Sequence, residues 1–410
     1  MGKEFDFSSL VNEVASKFGK TNLTDTAHAP IAIKFPSLIL RVLFQNEGLI
    51  LGKIIHIVGK EATFKSTLAL EITRWHLEQG GFGITLHTES RLNDKTIEGV
   101  LGDYKDQHSA FICDTLEEWQ AMLSDASEKL GKDTKQLACF TVDSVMGVSS
   151  EKTISEITKD GFASSKFAHE ANLISSYLRV FNAKLYDRLH TICLINHRKF
   201  RPNMNSYGPP EKTALGGNEI KFCASFEIET TTTESTRQVL GPITTYEMGL
   251  KLDKNTYGQE GIQIKVPVRF ANFPDGTKVV FDWYAATTYM LCKANTVRPA
   301  PTSSIIKKLA EIITVSIRRG GPKGDLFYSD QIGIPASAAL SPTEFGLAVE
   351  ERQDILNAIY ELFGIFRRYI YNPQLSYEEN MAKAVEFYKT IKQPNKSTPE
   401  TEETTEEIEK

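Results

Sequence analysis

The sequence predicts an α/β protein with a mostly parallel central sheet, a helical segment ahead of it and a small helical domain after it. Two observations carry this reading. Between residues 31 and 284, short β-rich apolar runs alternate with helix-length segments, the pattern of strand–helix–strand units around a sheet buried on both faces. Beyond Ala224 the apolar runs follow one another without long helices between them, so the sheet is expected to end in antiparallel strands.

Composition permits this and excludes much else. At 410 residues the chain has room for one large domain with appendages. Hydrophobic content of 41% and charged content of 24% are those of an ordinary globular protein, which argues against disorder, collagen and membrane classes. Cys113, Cys139, Cys193, Cys223 and Cys292 are scattered, with no CxxC spacing, and read as reduced core residues. The first twenty residues lack a signal-type apolar segment, and no stretch approaches the roughly 20 apolar residues of a membrane-spanning helix. The expected compartment is the cytoplasm. The formal net charge is −5, and residues 397–410 account for all of it with six acids and one lysine. The body is therefore balanced and has room for a local basic groove, for which an acidic tail would compete with a polyanion; a plain solubilising tail is the alternative.

In chain order, residues 4–20 space Phe5, Phe7, Leu10, Val11, Val14, Ala15 and Phe18 as one helix face ahead of a polar tether, a pattern that suits a docking helix or, equally, one packed on its own domain. Strands are expected at 53–58, 82–87, 137–142 and 190–196, with helices at 66–79, 116–130 and 167–189. Further strands follow at 226–230, 249–252, 262–270 and 278–283. Pro299-Ala300-Pro301 disfavours helix and central strand alike and marks a boundary. Helices at 303–315, 350–370 and 377–391 lie beyond it. The expected organisation is a docking helix and tether (1–30), a core (31–298), a small C-terminal domain (299–396) and an acidic tail (397–410).

The segment Gly59-Lys60-Glu61-Ala62-Thr63-Phe64-Lys65-Ser66, followed by Thr67, joins a predicted strand to a predicted helix. A phosphate-binding loop needs this setting, because successive backbone N–H groups and the helix dipole surround phosphate oxygens, Lys65 neutralises charge and Ser66 can ligate Mg²⁺. Phe64 stands where glycine is usual. It is expected to take a negative φ and to turn its side chain away from the phosphates. Asp143 ends the strand 137–142, as does a carboxylate that orders a Mg²⁺ shell. Glu89 lies just past the strand 82–87 as a candidate general base, and His197 ends the strand 190–196 where a γ-phosphate would be felt. Each residue alone has a bland reading as a polar strand end. Four polar features at the C-terminal ends of four candidate parallel strands mark the place where open α/β sheets bind ligands.

After His197, the residues Arg198, Lys199, Phe200, Arg201, Tyr207, Lys212, Gly216, Gly217 and Asn218 interleave basic and aromatic side chains with glycine and proline. Such a loop suits phosphate neutralisation with base stacking, which implies single-stranded nucleic acid as a partner. A second loop of mixed charge, 149–165, is expected at the same sheet edge.

Taken in order, these residues resemble the RecA recombinase family, particularly its phage-encoded UvsX-type members. The resemblance covers roughly residues 31–283 and is most specific from Leu215 to Ser225, with Val142-Asp143-Ser144-Val145 as the second nucleotide-site motif. UvsX-type members carry phenylalanine before the loop lysine and histidine at the phosphate sensor, as Phe64 and His197 stand here. The resemblance implies a RecA-like core and an ATP- and Mg²⁺-dependent, DNA-stimulated ATPase. It implies a helical filament on single-stranded DNA that pairs with homologous double-stranded DNA, single-strand-binding and mediator proteins as partners, and the host cytoplasm for a phage-encoded chain. It assigns phosphate and Mg²⁺ to Lys65, Ser66 and Thr67, a Mg²⁺-linked role to Asp143, catalysis to Glu89 and sensing to His197. Thr96 stands where bacterial members carry an adenine-stacking tyrosine, which leaves the adenine contacts unassigned, and Lys265 and Arg269 are the candidates for contacts to a neighbouring protomer's nucleotide. A helicase motor of related fold and an ATP-switched DNA-binding protein remain alternatives.

Overall fold

The computed structural model describes residues 30–89, 94–133, 135–160, 167–185, 188–201, 211–214, 219–232, 237–273, 276–293, 296–319 and 324–392. The expected helix at 4–20, the tether and the acidic tail lie outside them. A small sheet opens the fold. In it β1 (Ile31–Lys34) pairs antiparallel with β2 (Gly48–Ile50) across α1 (Leu38–Phe44), and parallel with β16 (Tyr369–Ile370) from the far end of the chain.

The large sheet has the order β13-β12-β11-β9-β3-β7-β6-β4-β5. Its parallel half comprises β3 (Lys53–Gly59), β4 (Phe82–His87), β5 (His108–Ile112), β6 (Ala138–Asp143), β7 (His190–Arg201) and β9 (Phe226–Thr232). The antiparallel half is β11 (Ile243–Asn255), β12 (Gln263–Phe273) and β13 (Gly276–Phe281), as the closely spaced runs implied. The helices α2 (Lys65–Leu77), α3 (Asp94–Leu101), α4 (Leu116–Glu128), α5 (Glu151–Asp160) and α6 (Phe167–Leu185) supply crossovers. Two apolar clusters cover the sheet. One holds Ile55, Ile57, Leu68 and Ile72; the other holds Ile54, Trp119, Phe140 and Leu178. This double burial is why the central strands read as unbroken apolar runs.

Three sequence expectations change. Residues 149–160 are not an open loop: Ser150 Oγ accepts from Thr153 N at 3.2 Å at the start of α5; the rest of the expected loop, 161–165, lies outside the described residues. The run 278–283 stops as a strand at Phe281, because Asp282 accepts from Ala285 N at 2.9 Å and starts α8 (Trp283–Cys292). The expected helix 350–370 is only α11 (Gln353–Phe363), ended by Gly364 in the left-handed region at φ 63°. The chain then returns as β16.

After residue 298 come α9 (Ser303–Ile312), the hairpin β14 (Ser316–Arg318) with β15 (Leu326–Tyr328), α10 (Pro342–Glu350) and α12 (Tyr377–Lys392). Phe345, Val349, Ile359 and Ala384 from this region join the same apolar cluster as Ile33, Phe35 and Trp75. Arg41, 3% exposed, pairs with Glu350 at 3.0 Å across the two regions. Among the described residues, no helix is long and apolar enough to cross a membrane.

Three histidines are built into the parallel half as neutral groups. His76 Nε2 lies 2.7 Å from Thr191 Oγ1 and its Nδ1 2.8 Å from Ile72 O; burial holds its pKa down at about 4. Burial likewise lowers His108 to about 4 and, helped by Arg188, His190 to about 3. The unfolded chain titrates near 6.5, so below that pH it takes up protons before the folded protein does. The contribution of these groups to stability is full above pH 6.5 and declines towards pH 4. Thermal melts should therefore show a falling midpoint across that window, with a shallower fall for His76→Gln; a flat profile would refute the assignment.

Candidate functional site

The loop after β3 is shaped by close contacts. A Cβ on Gly59 would lie 2.5 Å from Thr230 Oγ1 and 2.6 Å from Thr63 Oγ1, which leaves space only for glycine. Thr63 Oγ1 donates to Lys60 O at 2.8 Å and lies 2.7 Å from Thr230 Oγ1, binding the loop to β9. Lys65 opens α2, is 6% exposed, and donates from Nζ to Lys60 O at 2.6 Å, folding its charge back over the loop.

Phe64 does not take the expected negative φ. It sits in the left-handed region at φ 63°, ψ 26°. That conformation costs a β-carbon-bearing residue roughly 1–2 kcal/mol. The compensation is aromatic: its ring centroid lies 5.3 Å from those of both Tyr246 and Phe270, and each such pair is worth about 0.5–1.5 kcal/mol. The ring thus packs on β11 and β12, leaving the loop backbone to face the cavity.

That cavity, of about 360 Å³, is lined by residues 61–67, His87, Glu89, Thr96, Asp143 and His197. The ladder brings these together. Gly59 is in register with His197, and His87 with Asp143. Ser66 hydrogen-bonds Asp143, which is 8% exposed; burial pushes its carboxyl above the ordinary value, against the opposing effects of Ser66, His87 and Lys65. A hydroxyl beside a carboxylate is the hard oxygen pair that fits Mg²⁺. Among the described residues no cluster of three or more His, Cys, Asp or Glu forms a separate metal cage. A Mg²⁺ ion held by Ser66 and Asp143 would therefore depend on water and phosphate oxygens for its remaining ligands, as that ion usually does.

Glu89 stands two strands from β7, yet its carboxylate receives Ser144 Oγ at 2.5 Å and His197 Nε2 at 3.1 Å. An ionised carboxylate only accepts, so Nε2 carries the proton in this pair. Thr88 secures the arrangement: its N donates to Asp143 O at 2.8 Å, and its hydroxyl both accepts from Ser144 N and donates to Ser144 O. Gly147 packs so tightly on Thr88 that a Cβ would come within 2.0 Å of Oγ1.

Sequence reasoning missed His87, Thr88, Ser144 and Thr230. His87 is 7% exposed, and its Nε2 has no partner among the described residues. Strand alternation places it two residues before Glu89 on the same side, a signal the sequence did contain.

The nucleic-acid candidates fare differently. Arg198 does not face outward: it pairs with Glu227 at 3.1 Å, Glu229 at 2.9 Å and Asp253 at 2.6 Å, and is 14% exposed. Lys199, Phe200 and Arg201 lie on β7, paired in antiparallel register with β8 (Glu211–Ala214), which carries Lys212. The stem of the expected loop is thus a hairpin. Tyr207, Gly216, Gly217 and Asn218 lie outside the described residues. Lys265 and Arg269 share one face of β12 and are not among the residues that line this cavity. Lys265 pairs with Glu247 at 2.5 Å, and Arg269 with Asp282 and, at 3.1 Å, with Thr343.

A strand–loop–helix cradle, with carboxylates at neighbouring parallel strand ends, defines a P-loop nucleotide-binding α/β protein. Within that class the chain belongs to the RecA family: the RecA N-terminal domain matches residues 6–271. It is 28% identical over 232 residues to Protein RecA of Wolinella succinogenes, covering 56% of this chain and 63% of that protein. It is 25% identical over 240 residues to Protein RecA of Sulfurimonas denitrificans (58% and 66%), and 29% identical over 231 residues to that of Helicobacter pylori (55% and 63%). The chain thus spans just under two thirds of the length of these curated relatives.

The Phe64 geometry sets a stability test. Phe64→Ala keeps the left-handed cost and loses the ring packing, so chemical denaturation should show a loss of about 2–3 kcal/mol. Phe64→Gly should recover about 1 kcal/mol of that loss. Equal stability of the two variants would count against strain at this position.

Proposed function

We propose that this protein is an ATP-dependent DNA recombinase, forming a helical filament on single-stranded DNA and exchanging strands with homologous duplex. One observation carries the reading: β7 bears His197, which touches Glu89 in the nucleotide cavity, and runs on without a break into the hairpin that carries Lys199, Phe200 and Arg201. Nucleotide state and DNA contact then share one strand. Names of the curated relatives support the same activity. Phe64 and His197 favour the UvsX-type branch.

In this reading ATP lies with its phosphates along residues 59–66 and its base towards Thr96. Backbone N–H groups at the start of α2 and the Lys65 ammonium neutralise the β- and γ-phosphates. Mg²⁺, when bound, supplies further charge neutralisation between the phosphates. Glu89 orients a water molecule and accepts its proton as the water oxygen bonds to the γ-phosphorus in line and the bond from that phosphorus to the β–γ bridging oxygen breaks, with ADP as the leaving group. His197 and Ser144 hold that carboxylate in place, so a shift of His197 on γ-phosphate loss alters Glu89 and the hairpin stem together. Lys265 and Arg269, both about half exposed, are assigned in this reading to a neighbouring protomer's nucleotide, for which each would leave its present carboxylate partner. Residues 1–30 are assigned to docking on that neighbour.

The test is ATP hydrolysis with and without single-stranded DNA, run on the same samples as a homology-dependent strand-exchange assay. Stimulated hydrolysis with joint molecules is expected. Hydrolysis indifferent to DNA with no joint molecules would sink the proposal, and ATP-driven unwinding in their place would point to a helicase motor. Lys65→Ala should abolish hydrolysis, whereas Glu89→Gln should lower turnover by about 10² or more while nucleotide still binds. Normal turnover in Glu89→Gln would remove Glu89 from the chemistry.

A further inference from the structure

The outgoing stem of the hairpin on β7 and the short helix that follows its returning stem are both tied to one buried carboxylate. Glu227, on β9, has a side chain only 3% exposed. Its Oε1 accepts from Arg198 at 3.1 Å, on the outgoing stem, and from Lys221 at 3.0 Å. Lys221 belongs to α7 (Glu219–Cys223), the helix on the returning side after β8. The other oxygen, Oε2, lies 2.9 Å from Nδ1 of His56, a fully buried residue of the loop-bearing strand β3. His56 Nε2 in turn lies 3.4 Å from Asn196, the residue before His197. Arg198, Asn196 and Leu194 alternate onto one face of β7, and Leu194 and Glu227 both pair with His56, so the Arg198 side chain lies on the sheet face that carries Glu227.

We infer that Glu227 is a positioning residue: a clamp that joins the outgoing stem of the hairpin to the helix following its returning stem and to β3, so that the order of these segments follows the nucleotide strand. Burial alone would raise this carboxyl, but the His56 and Lys221 contacts outweigh it and hold its pKa down at about 2, so the clamp stays charged. A charge withdrawn from water in this way is stable only while its partners stay in place. Pulling either segment away leaves the other cation and the carboxylate poorly matched, which makes release of the two segments cooperative. Glu229 and Asp253 hold Arg198 from the far side and keep its guanidinium over β9.

The consequence for DNA rests on the proposed function; the clamp itself does not. Hydrogen exchange on the full-length protein addresses the clamp. In Glu227→Gln, amides of the β7–β8 stems and of α7 should exchange about tenfold faster or more, the loss expected from one charge-assisted hydrogen bond, while β4 and β6 stay protected. Lys221→Ala, at a half-exposed position, should loosen only β8 and α7. ATP hydrolysis addresses the coupling: without DNA, turnover and KM in Glu227→Gln should match the parent within about twofold, while half-maximal stimulation needs about tenfold more single-stranded DNA. Exchange that rises evenly through the sheet, or not at all, overturns the clamp, and so does a DNA-free turnover that collapses with the variant. Local loosening in a protein whose hydrolysis ignores DNA would uphold the clamp and refute the recombinase reading instead.

Discussion

The functional geometry depends on the parallel register of β3, β7, β6 and β4. Parallel pairing brings the C-terminal ends of strands that are remote in sequence to one edge, and the crossover helices keep the sheet dry on both faces. Gly59 meets His197, and His87 meets Asp143, only because those ladders run in phase. A slip of one residue in β7 would turn His197 to the face that Arg198 now occupies and place Arg198 over the loop. The apolar runs of the central strands hold the register by burying both faces, so the packing that makes the fold also fixes the chemistry.

Two local arrangements then specialise that edge. At the loop, a phenylalanine adopts a conformation usually left to glycine, and contacts from two antiparallel strands compensate for it. The parallel half supplies the nucleotide site while the antiparallel half supports the least favourable residue in it. At the hairpin, Arg198 turns inward to three carboxylates, so cationic charge that looks available for DNA in the sequence serves to hold the outgoing stem.

How far the site was legible follows from the range over which each signal acts. The strand–loop–helix spacing around Lys65, the apolar runs of β4 and β6, and the terminal carboxylates are local features, visible without a partner strand. Helix ends were less legible. Helix 151–160 carries only Ile154 and Ile157 as large apolar residues, spaced i, i+3 behind the capping Ser150, a signal that is local but rests on few residues. Residues 350–370 carry a continuous apolar pattern that Gly364 interrupts, because the chain must turn back to pair Tyr369 with Ile31. His87, Thr88 and Ser144 went unseen for a related reason: their roles are contacts between β4 and β6, some fifty-odd residues apart in sequence.

By itself, the sequence determined the class of fold, the strand–loop–helix segment around residues 59–66 and the identity of the residues available at its rim, since periodicity, glycine placement and strand-end polarity act over a few residues. Tertiary structure decided which of those residues meet. It paired Glu89 with His197 across an intervening strand, committed Arg198 to Glu227, Glu229 and Asp253, and tied Lys265 to Glu247 and Arg269 to Asp282. Charge and hydrogen-bonding capacity can be read from composition, but a buried ion must be matched by whatever the fold places beside it. That neighbour is set by strand order, which no local pattern in the chain encodes.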